Sequence, residues 1–538
     1  MQGLMQDFPL TIQHIFWRAE KLFPEKEIVS KLPDGLHRYT YAEFAERVRR
    51  LAGALRAAGI KPGDRVATFA WNNYMHHELY FAVPCIGAVL HTLNIRLFAD
   101  QLTYIANHAE DKMVFFDASL SPVLEPLVPE LNTIQRYVRM GPGESSIDSV
   151  DYEHFIEGGE PVAQWPELDE RAPAGVCYTS GTTGNPKGVV YTHRSTLLHA
   201  FGISTGNANG FGEPDVTLAI VPMFHAMAWG QPYAATMAGC TQVYPGPFLD
   251  PASLCELIES EKVTVSAGVP TIWIGVLGEL EKKTYDLSSI RFVTAGGAAV
   301  PRSLIEAFKT KHGIDVIQGW GMTETSPVCA LGRLKSTLGE LSEEEQFSIK
   351  AKTGFFIPGV EFRIVDEQGR ELPWDGQAVG EVQVRGPWIA SAYYNDPRSA
   401  DSFSDGWLRT GDVANVDEKG YLQLVDRTKD LVKSGGEWIS SVELETSIMS
   451  HPAVLEAAVI GAAHSKWSER PLACVVLKEG QEATAEDIVG HLEGKVAKWW
   501  LPDDVVFLDE MPKTSVGKFD KKVLREKFAG HKLPTDSP

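Results

Sequence analysis

The sequence predicts an α/β protein: a large N-terminal region of layered α/β units carrying a β-rich subdomain, followed by a small α+β C-terminal domain. Three observations predict it. The 538 residues exceed one compact core and are 44% hydrophobic, enough to fill at least two. Helix-turn-strand units recur along most of the chain. Between about 354 and 421 that pattern gives way to short alternating segments, and after Asp426 it returns in mixed form.

The elements follow in order. Thr40 and Glu43 form a capping box ahead of Phe44, Val48, Leu51 and Leu55 at helical spacing, and Gly59 stops the run. Lys61-Pro62-Gly63-Asp64 then turns into an extended segment, 65–70. The same unit is read at 253–260 with 263–267, and at 304–311 with 316–318, which points to largely parallel sheets. Glu361-Phe362-Arg363-Ile364-Val365 and Glu381-Val382-Gln383-Val384 mark the β-rich stretch. In the last hundred residues, helices are expected over 442–449 and, behind Thr484, over 485–496, with a strand over 454–460 and a frayed tail from Leu533.

Charge and cysteines narrow the function class. A formal net charge of -21 argues against nucleic acid or an anionic membrane as partner, so any nucleotide site must gather its positive charge locally. The six cysteines show neither a C-x-x-C pair nor metal-ligand spacing, which predicts a reduced, cytoplasmic protein. No apolar run approaches the ~20 residues of a membrane span, and no targeting segment is read at the N-terminus.

The most informative stretch runs from Tyr178 to Val190. Hydroxyl residues, two glycines and Lys187 follow the apolar run 174–178. Glycine lets a backbone approach oxyanions, hydroxyls and amides donate to them, and the lysine adds a point charge: a phosphate-cradling loop. Its spacing is not that of a Walker A motif. Ser/Thr/Gly clusters are ordinarily solvated turns, and the strand-like run before this one favours the loop.

Tyr178-Thr179-Ser180-Gly181-Thr182-Thr183-Gly184-Asn185-Pro186-Lys187-Gly188-Val189 resembles the first signature of the adenylate-forming superfamily of acyl-CoA synthetases, luciferases and peptide-synthetase adenylation domains. The other signatures follow in the family's order: Gly296 to Pro301, Gln318 to Thr325, Gly406 to Asp412, Asp426 to Gly436, and Pro512 to Lys518. The resemblance covers essentially the whole chain. It implies a large domain over 1–426, a hinge at 427–429 and a mobile small domain over 430–538, with ATP, Mg²⁺ and coenzyme A as cofactors, a carboxylic acid as substrate, and a homodimer.

Residue by residue, the resemblance assigns Thr179, Ser180, Gly181, Thr182, Thr183, Gly184 and Lys187 to the β- and γ-phosphates. Thr323 is assigned to the α-phosphate, and Glu324, with Thr182, to Mg²⁺. A hard dication needs few carboxylates when phosphate oxygens complete its shell. Trp320 stands where the family stacks adenine, with Gly297, Ala298 and Ala299 opposite and Gly321 and Met322 alongside. Asp412, reinforced by Arg427, takes the ribose hydroxyls. Lys518 is the catalytic lysine carried in by the small domain. His225, grouped with it, is assigned to pocket shape and charge rather than proton transfer. Trp229, Gly296, Gly297, Gly319 and Trp388 complete the acyl pocket. Lys429 is the hinge, and Lys433, Gly435 and Gly436 belong to the surface that meets the thiol.

An AMP-forming acyl-CoA synthetase is therefore expected, resembling medium- and long-chain fatty acyl-CoA ligases and 3-methylmercaptopropionate-CoA ligases. A short- or medium-chain or methylthioalkanoic acid is the favoured substrate, with longer fatty acids as the alternative. A stand-alone peptide-synthetase adenylation domain lacks its carrier modules here. A non-catalytic scaffold would not need Lys518, Glu324 and Lys187 together.

Overall fold

The computed structural model describes residues 3–179, 185–427, 429–435, 437–514 and 518–536. Four sheets are built from the described strands. One runs, edge to edge, Phe355–Phe356, Val328–Leu331, Asp315–Gly321, Phe292–Gly296, Val265–Gly268, Val216–Ala219, Thr241–Tyr244, Glu27–Leu32 and Gly35–Thr40, with a parallel centre and antiparallel edges. A second runs Val150–Asp151, Arg136–Met140, Asp111–Asp117, Arg65–Phe69, Val89–Thr92, Pro173–Tyr178 and Gly188–Thr192, parallel except at its final hairpin.

The helix Tyr74–Cys85 packs against strands of both sheets, and every one of its residues is buried. A helix enclosed all round has no polar face, which is why its sequence lacks an apolar stripe. Its single carboxylate, Glu78, is satisfied by Arg47 Nε at 2.6 Å and by the Tyr152 hydroxyl at 2.6 Å.

The helix Tyr41–Ala57 begins at the expected box: the Thr40 hydroxyl accepts from Glu43 N, and the Glu43 carboxylate accepts from Thr40 N. The paired units at Pro251–Glu261 with Val265–Gly268 and Arg302–His312 with Asp315–Gly321 form as read. The β-rich sheet joins Glu361–Val365, Gly380–Arg385, Trp407–Val416, Phe403–Ser404 and Leu422–Arg427. Its last strand thus extends past residue 421. The final sheet holds Glu437–Ile439, Val432–Ser434, Ser468–Leu477, Val454–His464 and Asp504–Phe507.

Two expectations near the C-terminus fail. The helix behind Thr484 ends at Leu492 rather than 496, because Glu493 leaves helical geometry and Gly494 turns to φ +76°. As far as Asp536 the tail is docked rather than frayed, Ser537 and Pro538 lying outside the described residues: Leu533 is buried with Met511 and Leu524, and Asp536 accepts from Ser465 N at 3.0 Å.

Candidate adenylation site

Four parallel strands of the larger sheet aim their carboxyl ends at one place. Val216–Ala219 leads to His225, Val265–Gly268 to Val269, Phe292–Gly296 to Ala298, and Asp315–Gly321 to Thr323. Open parallel sheets bind ligands there, since the connections leave a crevice outside the strand ends. A cavity of about 1750 Å³ opens at this edge and reaches the small C-terminal sheet's domain. Pockets for one small ligand measure roughly 300–1,000 Å³, so this volume suits a nucleotide together with a second substrate.

The strands Pro173–Tyr178 and Gly188–Thr192 pair as an antiparallel hairpin. At its base Thr179 N donates to Lys187 O at 2.9 Å, and Lys187 N donates to the Thr179 hydroxyl at 3.2 Å. A Cβ on Gly188 would lie 3.0 Å from the Tyr178 ring, so the close pairing of the two strands requires glycine. Thr179 and Lys187 line the cavity. Ser180, Gly181, Thr182, Thr183 and Gly184 lie outside the described residues, as does Gly436.

On the opposite wall, Gly321 is dictated by a chain reversal, since a Cβ there would stand 1.7 Å from Pro327 O. This brings Thr323 and Glu324 to the cavity. The Tyr191 hydroxyl holds Thr323 O at 2.7 Å, and the Tyr393 hydroxyl donates to Glu324 Oε1 at 2.6 Å. Trp320, Met322, Gly297, Ala298 and Ala299 line the same space. The Trp320 indole N–H donates to Asp412 Oδ2 at 2.8 Å, while Arg427 Nε pairs with Asp412 Oδ1 at 3.0 Å. Both carboxylate oxygens are therefore fixed in direction, and the charge of Asp412 raises the pKa of Arg427.

Lys518 enters this space from the small domain. A Cβ on Gly297 would be 3.5 Å from Lys518 Cε, so the aliphatic stem passes over the glycine. Thr514 N donates to Lys518 O and Lys518 N to the Thr514 hydroxyl, and Lys521 is paired with Glu445 at 2.7 Å. Enclosure, with the charge of Arg427 next, lowers the Lys518 pKa to about 8, against an opposing pull from Asp412 and Glu324. Enclosure and the charge of Lys518 in turn lower His225 to about 3. His225 is thus neutral at physiological pH, which fits shaping the pocket rather than carrying a proton.

A prediction follows from the direction of the lysine shift. The Lys518 ammonium loses its proton as pH rises through about 8, so a reaction that depends on that cation should lose kcat/KM above this pH, tenfold per unit once well above it. The pH profile of acid-dependent pyrophosphate exchange checks this, and a flat profile from pH 7 to 9.5 contradicts it.

Trp229 lines the cavity as well. Its indole packs on the strand end, with Cη2 3.2 Å from where a Gly296 Cβ would stand and Cζ2 3.6 Å from that of Gly297. Gly319 lines the cavity beside it. Ala226, Met227, Ala228 and Trp229 all have positive φ, 45° to 55°, before Gly230 at 73°. Left-handed backbone costs a non-glycine residue about 1–2 kcal/mol, so the segment is strained at a point where the ring is aimed.

Trp388 does not belong to this pocket. Its ring is buried between Gly202 and Gly359, where a Cβ would stand 2.7 Å and 2.6 Å away, and it meets His199 edge-on. The two glycines make room for a core aromatic. Lys433 and Gly435 lie away from the cavity, and a Cβ on Gly435 would stand 2.6 Å from the Trp467 ring. Lys429 lines the cavity, its pKa lowered by enclosure.

Three residues here have no role in the sequence reading. Tyr191 and Tyr393 reach the site from distant segments, and no local pattern marks them. Gln318 opens a recognised motif, and the structure places it at the cavity wall, where its Oε1 has no hydrogen-bond partner among the described residues.

Comparison with known proteins agrees with this geometry. Residues 16–394 match the family model described as AMP-binding enzyme, and residues 443–518 match the AMP-binding enzyme C-terminal domain, which ends on Lys518. The chain is 50% identical over 532 residues to a long-chain-fatty-acid–CoA ligase of Thermus thermophilus, covering 98% of this chain and 97% of that one. It is 45% identical to a 3-methylmercaptopropionyl-CoA ligase of Ruegeria pomeroyi, covering 98% and 99%. Among solved structures, the anthranilate CoA ligase AuaEII in complex with anthranoyl-AMP superposes with a TM-score of 0.88 at 26% identity, over 97% of this chain and 99% of that one. The chain belongs to the AMP-binding enzyme family, in which it is an ATP-dependent acyl-CoA ligase.

Proposed function

We propose that this ligase activates a short- or medium-chain or methylthioalkanoic acid, such as 3-methylmercaptopropionate, with Mg²⁺-bound ATP. The acid's carboxylate attacks the α-phosphorus, the bond to the bridging oxygen of pyrophosphate breaks, and an acyl-adenylate forms. The thiol of coenzyme A then attacks the acyl carbon, and AMP leaves with the electron pair. The cation supplies charge neutralisation on the phosphate oxygens. Glu324 is the carboxylate that would hold it: Oε1 is engaged by Tyr393, leaving Oε2 to share a shell completed by phosphate and water.

The residues divide the work. Thr179 and Lys187 would meet the departing pyrophosphate, Trp320 and Gln318 the base, and Asp412 the ribose. Lys518 offsets charge at the α-phosphate and substrate carboxylate. Supporting these roles is their convergence on one cavity from four segments of chain. The small domain is inferred to turn about Lys429, withdrawing Lys518 and bringing Gly435 and Gly436 to the thiol. The six buried, unpaired cysteines favour a reducing compartment and a cytoplasmic enzyme. Exposed Leu4, Met5 and Phe8 on the N-terminal arm favour pairing with a second copy.

Trp229 carries the choice of acid. Its ring rests on Gly296 and Gly297 and its backbone is wound left-handed, so it acts as a fixed wall that shortens the chamber. Each buried methylene is worth roughly 0.8 kcal/mol, about fourfold in kcat/KM, so a wall sorts acids by length. Trp229→Ala should raise kcat/KM for long-chain acids relative to a short chain such as 3-methylmercaptopropionate by about tenfold or more. The second reading, a medium- or long-chain fatty acid ligase, is favoured by the Thermus thermophilus relative. Efficient turnover of palmitate by the unmodified enzyme would establish it and remove the wall.

A further inference from the structure

We propose that Tyr393 is a positioning residue that holds the two opposite charges at the phosphate end of the site, Lys187 and Glu324, apart from one another and ready for metal-bound nucleotide. The proposal rests on the reading of Glu324 as the cation's carboxylate and Lys187 as a phosphate partner.

Three contacts meet on one side chain. The phenol donates to Glu324 Oε1 at 2.6 Å, the short distance expected of an O–H to carboxylate bond. Lys187 Nζ lies 4.4 Å from the centroid of the same ring, within cation–π range. The Phe403 ring packs against it edge-on at 5.1 Å. Tyr393 is 8% exposed and lines the cavity. Burial, then the charge of Glu324, raises the phenol's pKa, so it remains a donor throughout the working pH range.

The backbone around it is tied to both charged segments. Ala390 N donates to Glu324 O at 2.8 Å, and the Ser326 hydroxyl donates to Trp388 O at 2.7 Å. Tyr394 N donates to Gly188 O at 2.8 Å, next to Lys187, and Tyr393 N donates to the Ser399 hydroxyl at 2.9 Å. The ring is therefore a fixed spacer between the hairpin that carries Lys187 and the reversal that carries Glu324.

A spacer is needed because an ammonium and a carboxylate on facing walls of an enclosed site attract strongly. Among the described residues, neither Lys187 nor Glu324 forms an ion pair, and Asp396, which feels the charge of Lys187, is itself held by Arg398. Direct pairing would cancel the lysine's charge and occupy the carboxylate. With the phenol on one oxygen and the ring face beneath the ammonium, each charge stays available on its open side.

The test is the affinity of ATP for the full-length enzyme without acid or coenzyme A, measured by isothermal titration calorimetry across Mg²⁺ concentrations. Tyr393→Phe keeps the ring and its packing and removes the hydrogen bond. It should raise the Mg²⁺ concentration giving half-maximal ATP affinity by about tenfold while leaving metal-free ATP affinity unchanged. Tyr393→Leu also removes the ring and should weaken metal-free binding as well, by letting Lys187 pair with Glu324. In a Glu324→Gln background Tyr393→Phe should add nothing to the Mg²⁺ dependence.

Unchanged Mg²⁺ dependence in Tyr393→Phe, or full additivity with Glu324→Gln, would overturn the spacer role. A Glu324→Gln enzyme whose ATP binding responds to Mg²⁺ as the native one does would instead overturn the assignment of Glu324 beneath it. The two failures are read from different variants.

Discussion

Lys518→Ala should depress acyl-adenylate formation by on the order of a thousandfold or more while leaving thioester formation from supplied acyl-AMP within a few-fold of native. The reasoning starts from where the lysine lies. Its stem crosses Gly297 and its charge is felt by His225, so it stands between the part of the cavity beside Trp229 and His225 and the residues proposed for nucleotide. Its proton is held against a pKa lowered to about 8, which leaves a cation inside an enclosed site before substrate arrives. Such a charge gains most when anionic charge grows on the phosphate and cannot be replaced by water. The second half-reaction needs it only if the small domain stays where it is. Acid-dependent pyrophosphate exchange measures the first step, and AMP release from acyl-AMP and coenzyme A measures the second. Equal loss of both steps would mean that one arrangement of the domains serves the whole reaction.

Much of this site was legible because its chemistry is written in short runs. Gly297 to Ala299, Trp320 to Glu324, Asp412 and Lys518 all lie in contiguous motifs, and all line one cavity. The residues that support them are not written that way. Tyr393 holds Glu324 across 69 positions and Tyr191 holds Thr323 across 132, so neither has a local pattern to betray it. Trp388 shows the converse error. The family resemblance places it in the acyl pocket, yet the glycines that make room for it, Gly202 and Gly359, come from elsewhere and bury it in the core. The same limit governs the fold. Thr40 and Thr484 announce their helices by side-chain capping, a local interaction. Leu533 reads as the start of a loose tail because its packing against Met511 and Leu524 is a tertiary contact with no local signature.

Asp412→Ala should lower kcat/KM for ATP on the order of a hundredfold. Asp412 sits on the strand Trp407–Val416, 5% exposed, with one oxygen on the Trp320 indole and the other on Arg427. Removing it does three things at once. It leaves the indole N–H inside the cavity wall without its acceptor, and it frees the Trp320 ring to move. It also leaves Arg427, Lys429 and Lys518 clustered with one fewer carboxylate. Breaking a buried ion pair costs about 3–5 kcal/mol, but the Arg427 side chain is 44% exposed, so solvent screening brings the expected loss to the lower side of that range or below. The electrostatic part has its own signature. Asp412 supports the protonated form of Lys518 whereas Arg427 and Lys429 oppose it, so loss of the carboxylate must lower the lysine pKa below about 8. Asp412→Asn keeps an acceptor for the indole and removes only the charge. That variant should bind adenosine better than Asp412→Ala, yet lose pyrophosphate exchange at a lower pH than the native enzyme. An unshifted alkaline limb in Asp412→Asn would show that Lys518 does not set the pH dependence of adenylation.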